Sequence, residues 1–142
     1  MVSTHARCQH TQLGHRLENH TRIGTAIEEA CRGWRAVDSR VSITRDSHYQ
    51  LANRLAFTWK LATLGIPVAL IYLGFTGDAG ITSAGAPFED ADDWDRAFAK
   101  YTAGVFPREL LGQKLEIRGT PVWVLSPSRQ VLEVSPPRAR SQ

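Results

Sequence analysis

The sequence predicts an α/β fold, and three observations carry that prediction. Residues 47–64 read as a helix with its own start and stop signals, and residues 66–75 follow at once as an unbroken apolar, β-rich run. After a Gly/Ala/Ser-rich stretch, a further helical pattern from Asp90 precedes two short strand-like runs, Leu115–Ile117 and Val122–Leu125. The chain has 142 residues, 42% hydrophobic and 22% charged, the balance of a globular protein rather than a disordered one. That length suits one domain, which buries about two thirds of its unfolded surface.

The first helix-and-strand unit is the best signalled. Ser47 and Gln50 have capping-box spacing, and Asp46 adds negative charge at the helix N-terminus. Gly65 stands where a C′ glycine belongs, and Pro67 stops continuation. At about 100° per residue, Leu51, Leu55, Trp59 and Ala62 share one arc, with Ala52 and Ala56 beside them. The opposite side changes character along its length. Its first two turns carry Gln50, Asn53 and Arg54 with Tyr49 at the margin, and its last two carry Phe57, Leu61 and Leu64. The C-terminal half is thus apolar nearly all round, which predicts burial on two sides, while the N-terminal half keeps a polar cluster. The run Ile66–Phe75 predicts a central strand covered on both faces, laid back against the helix by the short connection.

Upstream, Thr25 and Glu28 suggest a second capping box, and Ile23, Ile27, Ala30, Cys31 and Trp34 form one apolar stripe. A helix is expected at about 22–35, weakened by Gly24 and Gly33 by up to about 1 kcal/mol each. Val41 and Ile43 belong to a short, extended connection. Residues 1–20 read as a poorly ordered N-terminus, residues 21–132 as the domain and residues 133–142 as a disordered tail. His5, His10, His15 and His20 recur every five positions, a period of neither helix nor strand, and with Cys8 they lack the paired spacing of zinc ligands.

Asp90, Asp92 and Asp93 open a helix with Trp94, Ala97, Phe98 and Tyr101 on its apolar face. A calcium loop starting at Asp90 would need glycine and glutamate where Asp95 and Tyr101 stand. The two runs 115–117 and 122–125, joined through Arg118-Gly119-Thr120-Pro121, suggest a hairpin. No glycine pattern forms a phosphate cradle, and no G-x-S-x-G or H-E-x-x-H pattern is present. Cys31 lies on an apolar stripe and reads as packed.

Composition also bears on partners. No apolar run approaches the roughly 20 residues of a membrane span, and no secretory h-region precedes the domain. With only Cys8 and Cys31, reduced thiols and a cytoplasmic location are expected, with no membrane partner. Net charge is +3, from 14 Arg and 3 Lys against 14 acidic residues. Arginine favours bidentate contact with phosphate, so nucleic acid is a candidate partner, although a dedicated binder shows a clustered stripe.

The stretch Ser47-His48-Tyr49-Gln50-Leu51-Ala52-Asn53-Arg54-Leu55-Ala56, then Gly65-Ile66-Pro67 and the apolar run, resembles bacterial proteins of the PD-(D/E)XK nuclease-like superfamily. Pro87-Phe88 ahead of an acidic helix containing Trp94 is similar too, so the likeness covers about residues 47–125. The resemblance implies a mixed sheet flanked by helices, of αβββαβ type. It also implies an Asp and a Glu-x-Lys or Asp-x-Lys, on strands before this helix, that hold Mg²⁺ and activate water. The matching helix would supply auxiliary cleft residues, here Tyr49, Gln50, Asn53 and Arg54.

The chain departs from that pattern at the metal. Lys60, Lys100 and Lys114 are preceded two positions earlier by Thr58, Phe98 and Gly112, so no Asp-x-Lys or Glu-x-Lys occurs. Metal-assisted hydrolysis needs paired carboxylates. The reading is therefore a partial PD-(D/E)XK-like domain, truncated or degenerate, without its own metal site, cofactor or confident catalytic residue. The alternative is a non-enzymatic module that binds nucleic acid or takes a partner chain at an exposed sheet edge. On sequence alone, Gln50, Asn53 and Arg54 fit helix solvation as well as a cleft, and Tyr49 and Trp59 lean towards the core.

Overall fold

The arc of Leu51, Leu55, Trp59 and Ala62 is where two helices and a sheet meet. In the computed structural model the described residues are 5–46, 48–78 and 86–132, with side chains described from His20 onward within those ranges. Three α-helices, a single 3-10 turn and five short strands follow in order: α1 (His5–Arg35), α2 (Tyr49–Thr63), β1 (Val68–Ile71), β2 (Gly74–Thr76), α3 (Ala91–Thr102), the turn Arg108–Leu110, β3 (Leu115–Ile117), β4 (Thr120–Leu125) and β5 (Ser128–Gln130). The architecture is mixed α/β, as expected. No helix among the described residues is long and apolar enough to cross a membrane.

α1 begins well before residue 22. Thr25 is therefore mid-helix, and its hydroxyl donates back to the Thr21 carbonyl at 3.1 Å instead of capping a start. Backbone from His5 belongs to this helix, while the side chains of His5, Cys8, His10 and His15 lie outside the described residues. His20 accepts a hydrogen bond on Nδ1 from Arg45 Nη1 at 3.0 Å. The predicted stripe holds: Ile27, Ala30 and Trp34 are fully buried, with Ile23 and Cys31 packed at their margin.

α1 and α2 approach closely because of one residue. A Cβ at Gly33 would lie 1.8 Å from the Trp59 indole nitrogen, so the Trp59 ring occupies the space a side chain would take. The glycine that weakens the helix locally is thus what permits the tertiary contact. Trp34 adds a polar tie, its Nε1 donating to the Leu55 carbonyl at 2.9 Å in the buried interior, and its ring meets Phe106 edge-on. Val41 and Ile43 are buried in the connection, and the Ser42 amide donates to the Val105 carbonyl at 2.9 Å.

Both ends of α2 differ in how well their signals read. At the C-terminus Gly65 takes φ 80°, its amide donates to Ala62, and the Ile66 amide donates to Leu61. These two bonds are a Schellman motif, as Gly65 predicted. At the N-terminus the helix starts at Tyr49, and the capping position is His48 in a left-handed conformation with no side-chain cap. Ser47, on which the expected box depends, lies outside the described residues.

The apolar run 66–75 is neither central nor covered on both faces. β1 pairs in parallel with β4 (Val68 with Val122 to Ile71 with Leu125), β4 pairs antiparallel with β3, and the order β1-β4-β3 leaves β1 at an edge. A break at Tyr72-Leu73 separates β1 from β2, which pairs in parallel with β5. The backbone stays tied across the break, since the Tyr72 amide donates to Leu125 and the Gly74 amide to Pro127. α2 lies on the face that carries Val68 and Leu70, whereas Ile71, Leu73 and Phe75 are exposed. The last turns of α2 are corrected too: Phe57 is 65% exposed and Leu64 64%. Strong hydrophobicity predicts burial only when the chain has elements enough to cover both sides, and the described residues supply one helical layer here.

α3 carries the crossover between the parallel strands, and its start follows expectation, with the Asp90 carboxylate accepting from the Asp93 amide at 2.9 Å. The β3–β4 hairpin turns on Arg118 and Gly119, both at positive φ (51° and 79°), a two-residue connection tighter than the four residues expected.

Gly33→Ala separates the two roles of that glycine. Helix propensity alone would stabilise by up to about 1 kcal/mol, whereas forcing Trp59 out of place costs about 1–3 kcal/mol. The expected outcome is a lower midpoint in urea and heat denaturation; a higher midpoint would show that α1 and α2 are not so closely apposed.

Candidate functional site

The two halves of the polar cluster on α2 part company in three dimensions. Gln50 and Arg54 are one turn apart and line the same hollow, of about 470 Å³, between α2, β1 and α3. Tyr49 and Asn53 do not line it. Tyr49 is 41% exposed, so the expectation that it joins the core is also corrected, while Trp59 is buried as expected.

Aromatic side chains make the rest of the wall: Tyr72 from the break after β1, Phe88 from the segment before α3, and Trp94, Phe98 and Tyr101 from α3. Their rings touch in series, Phe88 against Trp94 (5.2 Å between centroids), Trp94 against Phe98 (5.5 Å) and Phe98 against Tyr72 (5.1 Å). Trp94 is held at two points. Its Nε1 donates to the Ser126 carbonyl at 3.0 Å, and its ring lies over Gly74, where a Cβ would come within 2.3 Å. Gly74 therefore sets the depth of the wall. His48, in its left-handed conformation, packs edge-on against Tyr101 at 5.1 Å, tying the start of α2 to α3.

Arg54 and Tyr72 define the electrostatics. The guanidinium carbon stands 5.2 Å from the centre of the Tyr72 ring, a cation–π contact. The Tyr72 hydroxyl is shielded from solvent and has no hydrogen-bond partner of good geometry among the described residues. Burial pushes the phenol above its ordinary pKa, and Arg54 works in the opposite direction. A cation, a carboxamide and an unpaired phenol thus border an aromatic surface.

This arrangement suits a planar ring carrying a negative charge nearby. Stacked aromatic walls take the ring, Arg54 takes the anion, and Gln50 offers donor and acceptor to a polar edge. The Mg²⁺ implied by the resemblance finds no matching donor set, since no group of three His, Cys, Asp or Glu comes together among the described residues. A second hollow, about 490 Å³ along α1, carries Cys31, Arg32, Arg35 and Arg45 but offers no aromatic wall.

The aromatic wall was missed at the level of sequence because Trp94, Phe98 and Tyr101 at helical spacing read as ordinary core. Two signals were present: all three large residues of that stripe are aromatic, and Tyr72 is the one hydroxyl in the run 66–75. Compared with family models, with curated proteins and with solved structures, the chain finds no match in any of the three.

The raised pKa of Tyr72 gives a signed prediction. The fold prefers the neutral phenol, so this contribution is intact below the unfolded-state pKa of about 10 and is lost as pH climbs through the higher folded value. Tyr72→Phe should keep the melting temperature at pH 7 and flatten its decline above pH about 10. An unchanged alkaline decline would show that Tyr72 is not shielded.

Proposed function

We propose that this chain is a nuclease-like domain of PD-(D/E)XK type that lacks a metal centre of its own and binds nucleic acid without cutting it. The observation that carries this reading is the convergence of Gln50 and Arg54 on an aromatic hollow of about 470 Å³. Those two residues belong to the helix motif that resembles the nuclease-like family, which supports the reading.

The chemistry favours an unstacked base over a duplex. A base buried in a double helix cannot present its face to Trp94 or Tyr101, whereas a single strand can place one ring there and its phosphate on Arg54. Stacking on such aromatics is worth about 1–3 kcal/mol per base and tolerates every base. Gln50 adds a hydrogen bond to a base edge. The family's hydrolytic step has no support here, because neither the Glu-x-Lys pattern nor a clustered carboxylate set is found among the described residues.

Fluorescence anisotropy with labelled single-stranded and duplex oligonucleotides tests the proposal. Single strands should bind more tightly, with affinity falling as salt rises, and Arg54→Ala should weaken binding by about 10-fold or more at low salt. No cleavage that EDTA abolishes is expected. Absence of binding, or an Arg54→Ala variant that binds unchanged, would overturn the binding reading. EDTA-sensitive cleavage would overturn the non-catalytic one.

A further inference from the structure

We infer that the arginine-lined groove along α1 carries the sugar-phosphate backbone of the strand whose base enters the aromatic hollow. The strand passes from one to the other over His48. This rests on the reading of the hollow as a base site and extends it to a second surface.

The first observation is the groove itself, about 490 Å³ between α1 and the connection 43–46. Arg32 and Arg35 stand one turn apart on α1, and Arg45 joins them from the connection. Arg35 is anchored through its Nε, which donates to the Val41 carbonyl at 3.0 Å, and its terminal nitrogens have no partner among the described residues. Arg32 is exposed and makes no hydrogen bond or ion pair among the described residues. Arg45 is spent, donating to His20 Nδ1 at 3.0 Å and to the Asp46 carboxylate at 3.3 Å.

Two acids, Glu28 and Asp46, share the lining. Asp46 is engaged by Arg45, and Glu28, one turn from Arg32, makes no ion pair with it. Three cations thus face two acids, and the guanidinium N–H groups of Arg32 and Arg35 stay open. Planar donor forks of this kind fit phosphate oxygens. No ring lines the groove, so it suits a backbone and gives a base nothing to stack on.

The second observation is continuity with the hollow. Arg45 and His48 are three residues apart in the chain, so their Cα atoms lie at most about 11 Å apart. His48 is exposed, and its ring meets Tyr101, a wall residue of the hollow, at 5.1 Å between centroids. A strand covers such a reach with roughly three nucleotides at about 3.4 Å each. An acidic peptide would also match the guanidinium groups. Only a nucleic acid, however, brings a ring and an anion on every repeat, one for each of the two adjoining surfaces.

Fluorescence anisotropy with labelled oligothymidylates of about 3 and about 10 nucleotides, below and within the usual single-strand site size, tests this. The longer strand should bind at least about 10-fold more tightly. It alone should slow alkylation of the half-buried Cys31 thiol by iodoacetamide, followed on the Cys31 peptide by mass spectrometry. Arg32→Gln and Arg35→Gln should each lower the longer strand's salt slope by about 0.7 and leave the shorter strand's affinity unchanged. Arg54→Ala should weaken both lengths. Thermal melts report folding, and Arg32, with no partner in the fold, keeps the test clean should Arg35→Gln unfold. Equal affinity for the two lengths overturns the groove, while a surviving Arg54 dependence keeps the hollow. An unchanged salt slope in Arg32→Gln with Cys31 unprotected does the same. Arg54→Ala binding both lengths like the wild type overturns the hollow and the shared path together. Protection of Cys31 by an oligoglutamate as strong as that by the longer strand overturns the choice of nucleic acid.

Discussion

The contact between Gly33 and Trp59 is the constraint on which the rest of this structure depends. With no Cβ at residue 33, the indole of Trp59 closes against α1, and Trp34 reaches the Leu55 carbonyl from the other side of the same interface. Those contacts fix the rotation of α2. Once Leu51, Leu55 and Ala62 face inward, Gln50 and Arg54 must stand over the end of β1, and Phe57 and Leu64 must face outward. The rotation of one helix thus decides what becomes core, what becomes hollow and what stays uncovered.

The hollow shows how packing leaves an aromatic wall at an opening. Aromatic rings in an ordinary core are enclosed; here the chain of Phe88, Trp94, Phe98, Tyr72 and Tyr101 ends at an opening bordered by Arg54. Trp94 is pinned by Ser126 and seated on Gly74, so the wall is formed before any ligand arrives. A preformed wall of this kind spares a ligand the ordering cost of several side chains. At the start of α3 the Asp90 carboxylate caps the helix, accepting from the Asp93 amide.

Much of the fold was legible from residues alone, for local reasons. Gly65 and Pro67 marked the end of α2 because a left-handed C′ position needs glycine, and the structure places a Schellman motif there. The acidic start of α3 at Asp90, the β3–β4 hairpin, though not its tight two-residue turn, and the buried arc 51–62 follow from equally local rules. What could not be read was tertiary. Nothing local distinguishes an apolar run covered on both faces from one left half bare, so Ile71 and Phe75 looked buried and are exposed. Likewise Gln50 and Arg54 could be separated from Tyr49 and Asn53 only once α3 had a position.

Acceptance of an unstacked base by the hollow beside Arg54 is the proposal on which the functional reading rests. The most direct test is an NMR titration of the full chain with a short single-stranded oligonucleotide, following the four indole N–H signals and the arginine side chains. The Trp94 indole and the Arg54 guanidinium should shift together and saturably, while the buried Trp34 indole stays in place. Shifts confined to other arginines, with Trp94 and Arg54 unmoved, would contradict it.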